Sequence, residues 1–167
     1  MLKTACVLSL AFWLSLAAQQ GFAVAPPSIT DRSWQDVSGQ PVTWGATSRL
    51  RVWCFLGCEC PVARLYALRL QEMADALNAD PASKDAVQWV GVISNSHDSI
   101  EDIQHFSEEL GIRFPLIKDS DQSIAKEWQA TRTAEVVVID RQGTIRYRGR
   151  IDDQYAPGVK RSKSLRS

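Results

Sequence analysis

The chain alternates short runs of apolar residues with longer stretches in which apolar residues recur every three or four positions. The short runs are typical of strands buried on both faces, and the three-to-four spacing is typical of helices. The predicted strands cover residues 50–56, 87–94, 114–117, 134–139 and 144–150, and the predicted helices cover residues 62–79, 99–110 and 122–129. This order predicts an α/β fold with a parallel sheet, helices on both faces and an antiparallel edge.

Local signals mark several ends of these elements. Pro61 can open the first helix, because its missing N–H has no partner at that position. Ser99 with Asp102 three residues later predicts a cap for the second helix, and Gly111 can end that helix. Before the first strand, residues 34–44 form a weaker hairpin-like pattern.

The first 25 residues have the pattern of a secretory signal peptide: Lys3, an apolar stretch over Ala5–Ala18, and small residues at two candidate cleavage positions, Ala23 and Ala25. The apolar stretch is shorter than the ~20 residues that cross a bilayer. We therefore expect a secreted or periplasmic protein, with membrane attachment only if the segment stays uncleaved. The domain is expected over residues 26–155, followed by a basic, disordered tail over 156–167.

Composition narrows the possible functions. The 167 residues suit a single domain, and 45% hydrophobic with 23% charged residues is ordinary for a globular protein. The formal net charge is zero, which gives no electrostatic footprint for nucleic acid.

The cysteines carry the candidate chemistry. Removal of the leader removes Cys6 and leaves Cys54, Cys58 and Cys60, all within seven residues. Such a cluster cannot staple distant segments, so it indicates chemistry or metal binding. Cys60 falls between a buried strand and a long helix, where backbone N–H groups and the helix dipole favour a thiolate. The sequence thus predicts that Cys60 is a nucleophile.

The segment from Phe55 to Arg64 resembles the active-site turn of the thioredoxin superfamily. Bacterial membrane-anchored and periplasmic thioredoxins carry F-W-A-T-W-C-P-P-C-R, and Phe55, Cys60, Pro61 and Arg64 match its Phe, first Cys, first Pro and Arg. The chain is most similar to the peroxiredoxin-like branch, the alkyl hydroperoxide reductase and thiol-specific antioxidant (redoxin) proteins. The resemblance continues through residues 118–119, 135–140 and 143–153, and it covers roughly residues 30–155.

This resemblance implies a three-layer thioredoxin-like fold and a thiol-disulfide oxidoreductase or peroxidase with Cys60 as its catalytic residue. It implies no bound cofactor, but an external thiol reductant together with a protein disulfide or a peroxide as substrate. Arg132 and Thr133 are expected beside the nucleophile as supporting residues, with Pro61 at the helix start.

Three departures from the family are visible in the sequence. Ala63 occupies the position of the usual second cysteine, which excludes dithiol exchange through that pair. Ala134 occupies the position of a cis-proline, and a non-proline cis bond costs about 3–4 kcal/mol, so a trans bond is expected. No helical pattern follows the final hairpin, so the last helix of the fold is expected to be missing.

Cys58 offers a replacement for the missing second cysteine, since a Cys-x-Cys pair can close into a strained, oxidising disulfide. The alternative is that Cys58 is a spare thiol near the site. Cys54 lies in mid-strand and is expected to be a small buried residue.

Two other classes of function stay open at this stage. The three cysteines together with His97 or His105 could form a copper or zinc site, although both histidines have the pattern of surface residues. A catalytically inactive thioredoxin-fold binding module is the other alternative. An accessible, ionised Cys60 distinguishes a redox enzyme from both.

Overall fold

The computed structural model describes residues 33–156 and 159–160 of the chain. The strands are β1 (Trp34–Gln35), β2 (Pro41–Val42), β3 (Leu50–Leu56), β4 (Val87–Ile93), β5 (Leu116–Lys118), β6 (Glu135–Asp140), β7 (Ile145–Arg150), β8 (Tyr155–Ala156) and β9 (Val159–Lys160). The helices are α1 (Pro61–Ala79), α2 (Ile100–Leu110) and α3 (Ser123–Glu127). The predicted order of strands and helices is confirmed.

A five-stranded mixed sheet forms the centre of the fold, in the order β5-β4-β3-β6-β7. β3 runs parallel to β4 and antiparallel to β6, and β7 is the antiparallel edge. β3 is therefore the central strand, and its carboxyl end meets the amino end of β6. That meeting point is where the candidate site lies.

Residues of β3 alternate between two hydrophobic cores. Cys54 and Leu56 pack on the face covered by α1 and α2, whereas Trp53 and Phe55 pack on the face covered by α3. Trp53 is fully buried, with Trp34 edge-on at 5.0 Å between ring centroids and Trp128 at 6.0 Å. Because both faces are buried, the strand has the continuous apolar character seen in the sequence. The predicted three-layer, thioredoxin-like α/β fold is confirmed.

The ends of the elements follow local chemistry. Ser99 accepts a hydrogen bond from the Asp102 backbone in a complete capping box, and Gly111 ends α2 in the left-handed conformation, as expected. β5 begins at Leu116, two residues later than predicted, because Pro115 has no N–H to give to the sheet. α3 is shorter than predicted, since Gln122 precedes it with φ of 58° and Trp128 ends it.

Within the described residues no helix follows β7. β8 and β9 instead pair in an antiparallel ladder, and β8 contacts α1; residues 156, 159 and 160 lie within the segment predicted as a tail. The rest of the predicted tail, like the predicted signal peptide, lies outside the described residues. No described helix is long and apolar enough to cross a membrane.

Asp152 anchors the chain after β7 to α1. Its buried carboxylate accepts a hydrogen bond from the Tyr66 hydroxyl at 2.7 Å and forms an ion pair with Arg69 at 2.8 Å. Asp152 therefore has a structural role at this position.

Candidate active site around Cys60

Cys60 is the residue that precedes α1, and Pro61 is the first residue of the helix. The Cys60 backbone is extended (φ −76°, ψ 113°), and its side chain forms no capping hydrogen bond to the helix. Its carbonyl accepts the Arg64 N–H at 2.9 Å, which starts the helical ladder. The sulfur therefore lies at the positive end of a 19-residue helix, free of local capping contacts.

Thr133 is the partner of the Cys60 sulfur. Cys60 Sγ and Thr133 Oγ1 are 3.3 Å apart, within hydrogen-bonding distance for sulfur. The contact spans 73 positions along the chain. It arises because β3 and β6 are antiparallel neighbours, so the residue before β6 meets the residues after β3.

Ala134 joins this loop to the central strand. Its N–H donates to the Phe55 carbonyl at 2.6 Å, and its φ is 61°, which is unusual for a residue with a Cβ. No cis peptide bond occurs in the described residues, so the bond between Thr133 and Ala134 is trans, as expected. The edge beside Cys60 is thus built differently from one that carries a cis-proline.

Gly57 allows the two loops to approach each other. A Cβ at this position would lie 3.2 Å from Thr133 Cγ2, 3.5 Å from Asn95 Nδ2 and 3.8 Å from Cys60 Cβ. Gly57 is therefore surrounded by the side chains that form the site. A larger residue would press directly on the threonine that contacts the sulfur.

Cys58 lies inside the protein rather than at its surface. Its backbone N–H donates to Asp98 Oδ2 at 3.1 Å, and its carbonyl accepts a bond from Arg64 at 3.1 Å. Burial, and next the negative charge of Asp98, raise the pKa of Cys58 to about 12. Cys58 is therefore a protonated thiol at neutral pH in this arrangement.

Asp98 and Arg64 complete the loop around Cys58. Asp98 is 3% exposed, although it is a carboxylate. Arg64 also forms an ion pair with Glu109 of α2. Sequence reasoning missed Asp98, although its place in the polar stretch after β4, at the carboxyl edge of the sheet, is where sites of this fold class gather.

Cys54, the third cysteine, and Ala63, at the position of the family's second cysteine, are both fully buried. Cys54 is 0% exposed, as expected from its place in the strand, and burial raises the pKa of its thiol. Ala63 is also 0% exposed and packs in the core below α1. Of the three cysteines that the structure describes, only Cys60 is partly exposed.

The other candidate residues from the sequence, one arginine and two histidines, lie at the surface. Arg132 is exposed and makes no hydrogen bond or ion pair within the described residues. His97 and His105 are exposed, as expected. Across residues 33–156, no group of three or more His, Cys, Asp or Glu side chains is placed to hold a metal ion.

A cavity of about 270 Å³ lies beside Thr133, at the carboxyl ends of β3 and β4. We call it the side pocket. It is lined by Phe55, Leu56, Val92, Ser94, Asn95, Gln122, Ala125, Ala130, Thr131, Arg132 and Thr133. Thr133 thus separates the side pocket from the sulfur of Cys60.

A cysteine at the start of a long helix, beside a threonine from the loop that leads into the neighbouring strand of a mixed sheet, is the arrangement of a thioredoxin-fold redox protein. Residues 28–148 match the AhpC/TSA family, which is most of the chain, and the protein belongs to that family. The predicted membership of the peroxiredoxin-like branch of the thioredoxin superfamily is confirmed. This membership supports a thiol-dependent oxidoreductase in general.

Solved structures share the fold. A secreted disulfide oxidoreductase of Mycobacterium tuberculosis, described as homologous to DsbE of E. coli, is 22% identical with a TM-score of 0.56, over 68% of this chain and 79% of that chain. StoA of Bacillus subtilis is 18% identical with a TM-score of 0.61, over 75% and 92%. An uncharacterised conserved protein of Geobacillus kaustophilus is 28% identical with a TM-score of 0.64, over 77% and 68%. No curated protein shows a significant match to the chain.

Proposed function

We propose that the protein is an exported thiol oxidoreductase that reduces peroxides or exchanges disulfides with Cys60 as its nucleophile. The observation that carries the proposal is the position of the Cys60 sulfur. It is partly exposed at the amino end of α1 and lies 3.3 Å from the Thr133 hydroxyl. Both the helix end and an O–H donor stabilise a thiolate over a thiol.

The first half-reaction follows from this thiolate. With a hydroperoxide, Cys60 S⁻ attacks the terminal oxygen, the O–O bond breaks, and one proton gives Cys60–SOH and an alcohol or water. With a disulfide, the same sulfur displaces a thiolate and forms a mixed disulfide. In each case Cys60 is oxidised and the substrate is reduced.

Regeneration of Cys60 needs a second thiol, and two routes are available. Cys58 could attack the Cys60 sulfur, with Asp98 accepting the Cys58 proton. This route needs the loop to release a buried thiol whose pKa is raised to about 12. An external thiol needs no such release, because Cys60 is already partly exposed. The geometry favours the external thiol, and Cys58 is the second candidate.

Export rests on the first 25 residues of the sequence. Their charged start, apolar stretch and small residues have the order of a signal peptide, and one protein of similar fold is described as secreted. The intact mass of the protein recovered from the periplasm or medium should correspond to a chain that begins at Val24 or Pro26. A full-length mass in the membrane fraction would contradict this part of the proposal.

The catalytic part is tested by turnover with an excess of thiol. The purified protein should consume hydrogen peroxide or a small disulfide, Cys60→Ser should abolish this activity, and Cys54→Ser should fold and retain it. Cys58→Ser should retain activity if an external thiol regenerates Cys60, and lose it if Cys58 is required. Activity that persists in Cys60→Ser, or its absence with both substrate classes in the wild type, would contradict the proposal.

A further inference from the structure

The side pocket lies on the far side of Thr133 from the candidate nucleophile. Thr133 contacts both: its side chain lines the pocket, and its Oγ1 is 3.3 Å from Cys60 Sγ. Asn95 also lines the pocket, and its side chain and Cys60 Cβ both lie within 4 Å of the position that a Cβ on Gly57 would take. One side chain, that of Thr133, therefore lies between the pocket and the sulfur, and a molecule bound partly in the pocket can extend past it to Cys60.

The size of the pocket suits a small molecule. About 270 Å³ is close to the lower end of the range for ligand sites, and it equals the liquid volume of roughly nine waters. An amino acid or a short peptide fits this volume, whereas a folded protein can contact only its rim. The lining includes the buried apolar residues Phe55 and Val92 and the polar residues Ser94, Asn95 and Gln122.

The charge of the lining favours an anion. Arg132 is the one charged residue among those that line the pocket, and it is exposed without an acidic partner in the described part of the chain. Two buried carboxylates, Asp119 and Glu135, accept hydrogen bonds from residues that line the pocket, and each is already bonded to backbone N–H groups. Asp119 accepts from Ile124 at 3.0 Å, and Glu135 accepts from Thr131 at 2.9 Å. Neither carboxylate lines the pocket.

We propose that the side pocket binds the carboxylate-bearing part of a small thiol, held by Arg132, and that this thiol reduces oxidised Cys60. The inference rests on the proposed function and names its reductant class. It agrees with the absence of a cysteine at position 63 and with the buried position of Cys58, which leave Cys60 without an exposed partner among the described cysteines.

Reduction of oxidised Cys60 consumes two molecules of the small thiol. The first condenses with Cys60–SOH, forming an S–S bond and releasing water. The second attacks the sulfur of the bound thiol as a thiolate, which breaks the S–S bond and releases Cys60 S⁻ and the small-molecule disulfide. Cys60 is reduced, and the two small thiols are oxidised to one disulfide.

The test isolates the first step, in which the thiol forms its bond to the Cys60 sulfur, with thiopyridone in place of water as the leaving group; it uses the full mature chain with Cys58→Ser. Cys60 is first converted to its mixed disulfide with the uncharged reagent 2,2′-dithiodipyridine. The rate of thiopyridone release is then measured with 3-mercaptopropionate, 2-mercaptoethanol and cysteamine, each corrected for its thiolate fraction and for its rate with a small-molecule pyridyl disulfide. The same rates are measured in Arg132→Gln and in Arg49→Gln, an exposed arginine at the opposite end of β3.

We expect the anionic thiol to react about fivefold faster than the neutral thiol after correction, as for a partly exposed ion pair. Arg132→Gln should remove this preference without changing the rate of the neutral thiol, and Arg49→Gln should keep the preference. Equal rates for the three thiols, or a preference that survives Arg132→Gln, would overturn the inference. If Arg132→Gln slows all three thiols equally, Arg132 acts on Cys60 itself and the inference also fails.

The same experiment separates this inference from the proposed function. If dithiodipyridine does not label Cys60 in the folded protein, the proposed nucleophile is wrong. If Cys60 is labelled and reduced without regard to the charge of the thiol, the nucleophile stands and only the anion-binding role of the side pocket is wrong.

Discussion

Replacing Thr133 with valine removes the one hydrogen-bonding group that contacts the Cys60 sulfur within the described residues. Valine has the same shape as threonine, with a methyl group in place of the hydroxyl. The methyl group that faces Gly57 is retained, so the packing between the two loops is preserved. Thr133→Val therefore changes the chemistry at Oγ1 with little change in shape.

The magnitude follows from the geometry. A hydrogen bond to a charged group contributes about 1.5–3 kcal/mol, and partial exposure of Cys60 places this bond at the lower end, near 1.5 kcal/mol. An energy of this size is about a factor of ten in the stabilisation of a thiolate relative to a thiol, and Thr133→Val should lose that factor. A less stabilised thiolate is intrinsically more nucleophilic, with a Brønsted coefficient of about 0.4–0.5. The net loss of reactivity is therefore about three- to fourfold.

The assay is the second-order rate of Cys60 alkylation by iodoacetamide at neutral pH, followed by peptide mass mapping. Thr133→Ser keeps the hydroxyl and should react like the wild type. Thr131→Val makes the same replacement two residues away, where the hydroxyl faces Glu135 instead of Cys60, and should also react like the wild type. A wild-type rate in Thr133→Val, or an equal loss in Thr131→Val, would refute the reasoning.

Three further predictions concern stability. Cys58 keeps its proton in the folded state up to a pKa of about 12 but ionises near 9.0 when unfolded, so the free energy of unfolding should fall as the pH rises above about 9. Urea titrations should show a shallower fall in Cys58→Ser, and an unchanged slope would contradict the burial argument. Gly91→Ala would place a Cβ 2.3 Å from Leu116 Cδ2, and urea unfolding should show a loss of about 1–3 kcal/mol; wild-type stability would show that Leu116 moves freely. Asp119→Ala would leave the N–H groups of Ile124 and Ala125 and the Ser94 hydroxyl without their acceptor. The free energy of unfolding, measured in urea, should fall by at least about 2 kcal/mol, and an unchanged value would show that water replaces the carboxylate as acceptor.

The pattern of apolar residues was sufficient to predict the order of the elements. β3 and β4 are buried on both faces, so their apolar runs are continuous, and the turns of α1 repeat the spacing that a helix needs. Cys60 could be placed at the start of α1 because it stands directly between these two patterns. These are local properties, and a single sequence contains them.

The contacts that define the site are not local. Asp98 lies 40 positions from Cys58, and Arg64 lies 45 positions from Glu109. Thr133 was expected near Cys60 only through the family resemblance. The burial of Cys58 depends on how these distant loops pack together, and no periodicity in the sequence encodes that packing.

The most direct test of the account is to react the native, fully reduced protein with one equivalent of 2,2′-dithiodipyridine and to map the modified cysteine by mass spectrometry. The account predicts that Cys60 is labelled first, with Cys54 and Cys58 unlabelled until the protein is unfolded. Labelling of Cys58 before Cys60, or no labelling of the folded protein, would contradict the assignment of Cys60 as the nucleophile.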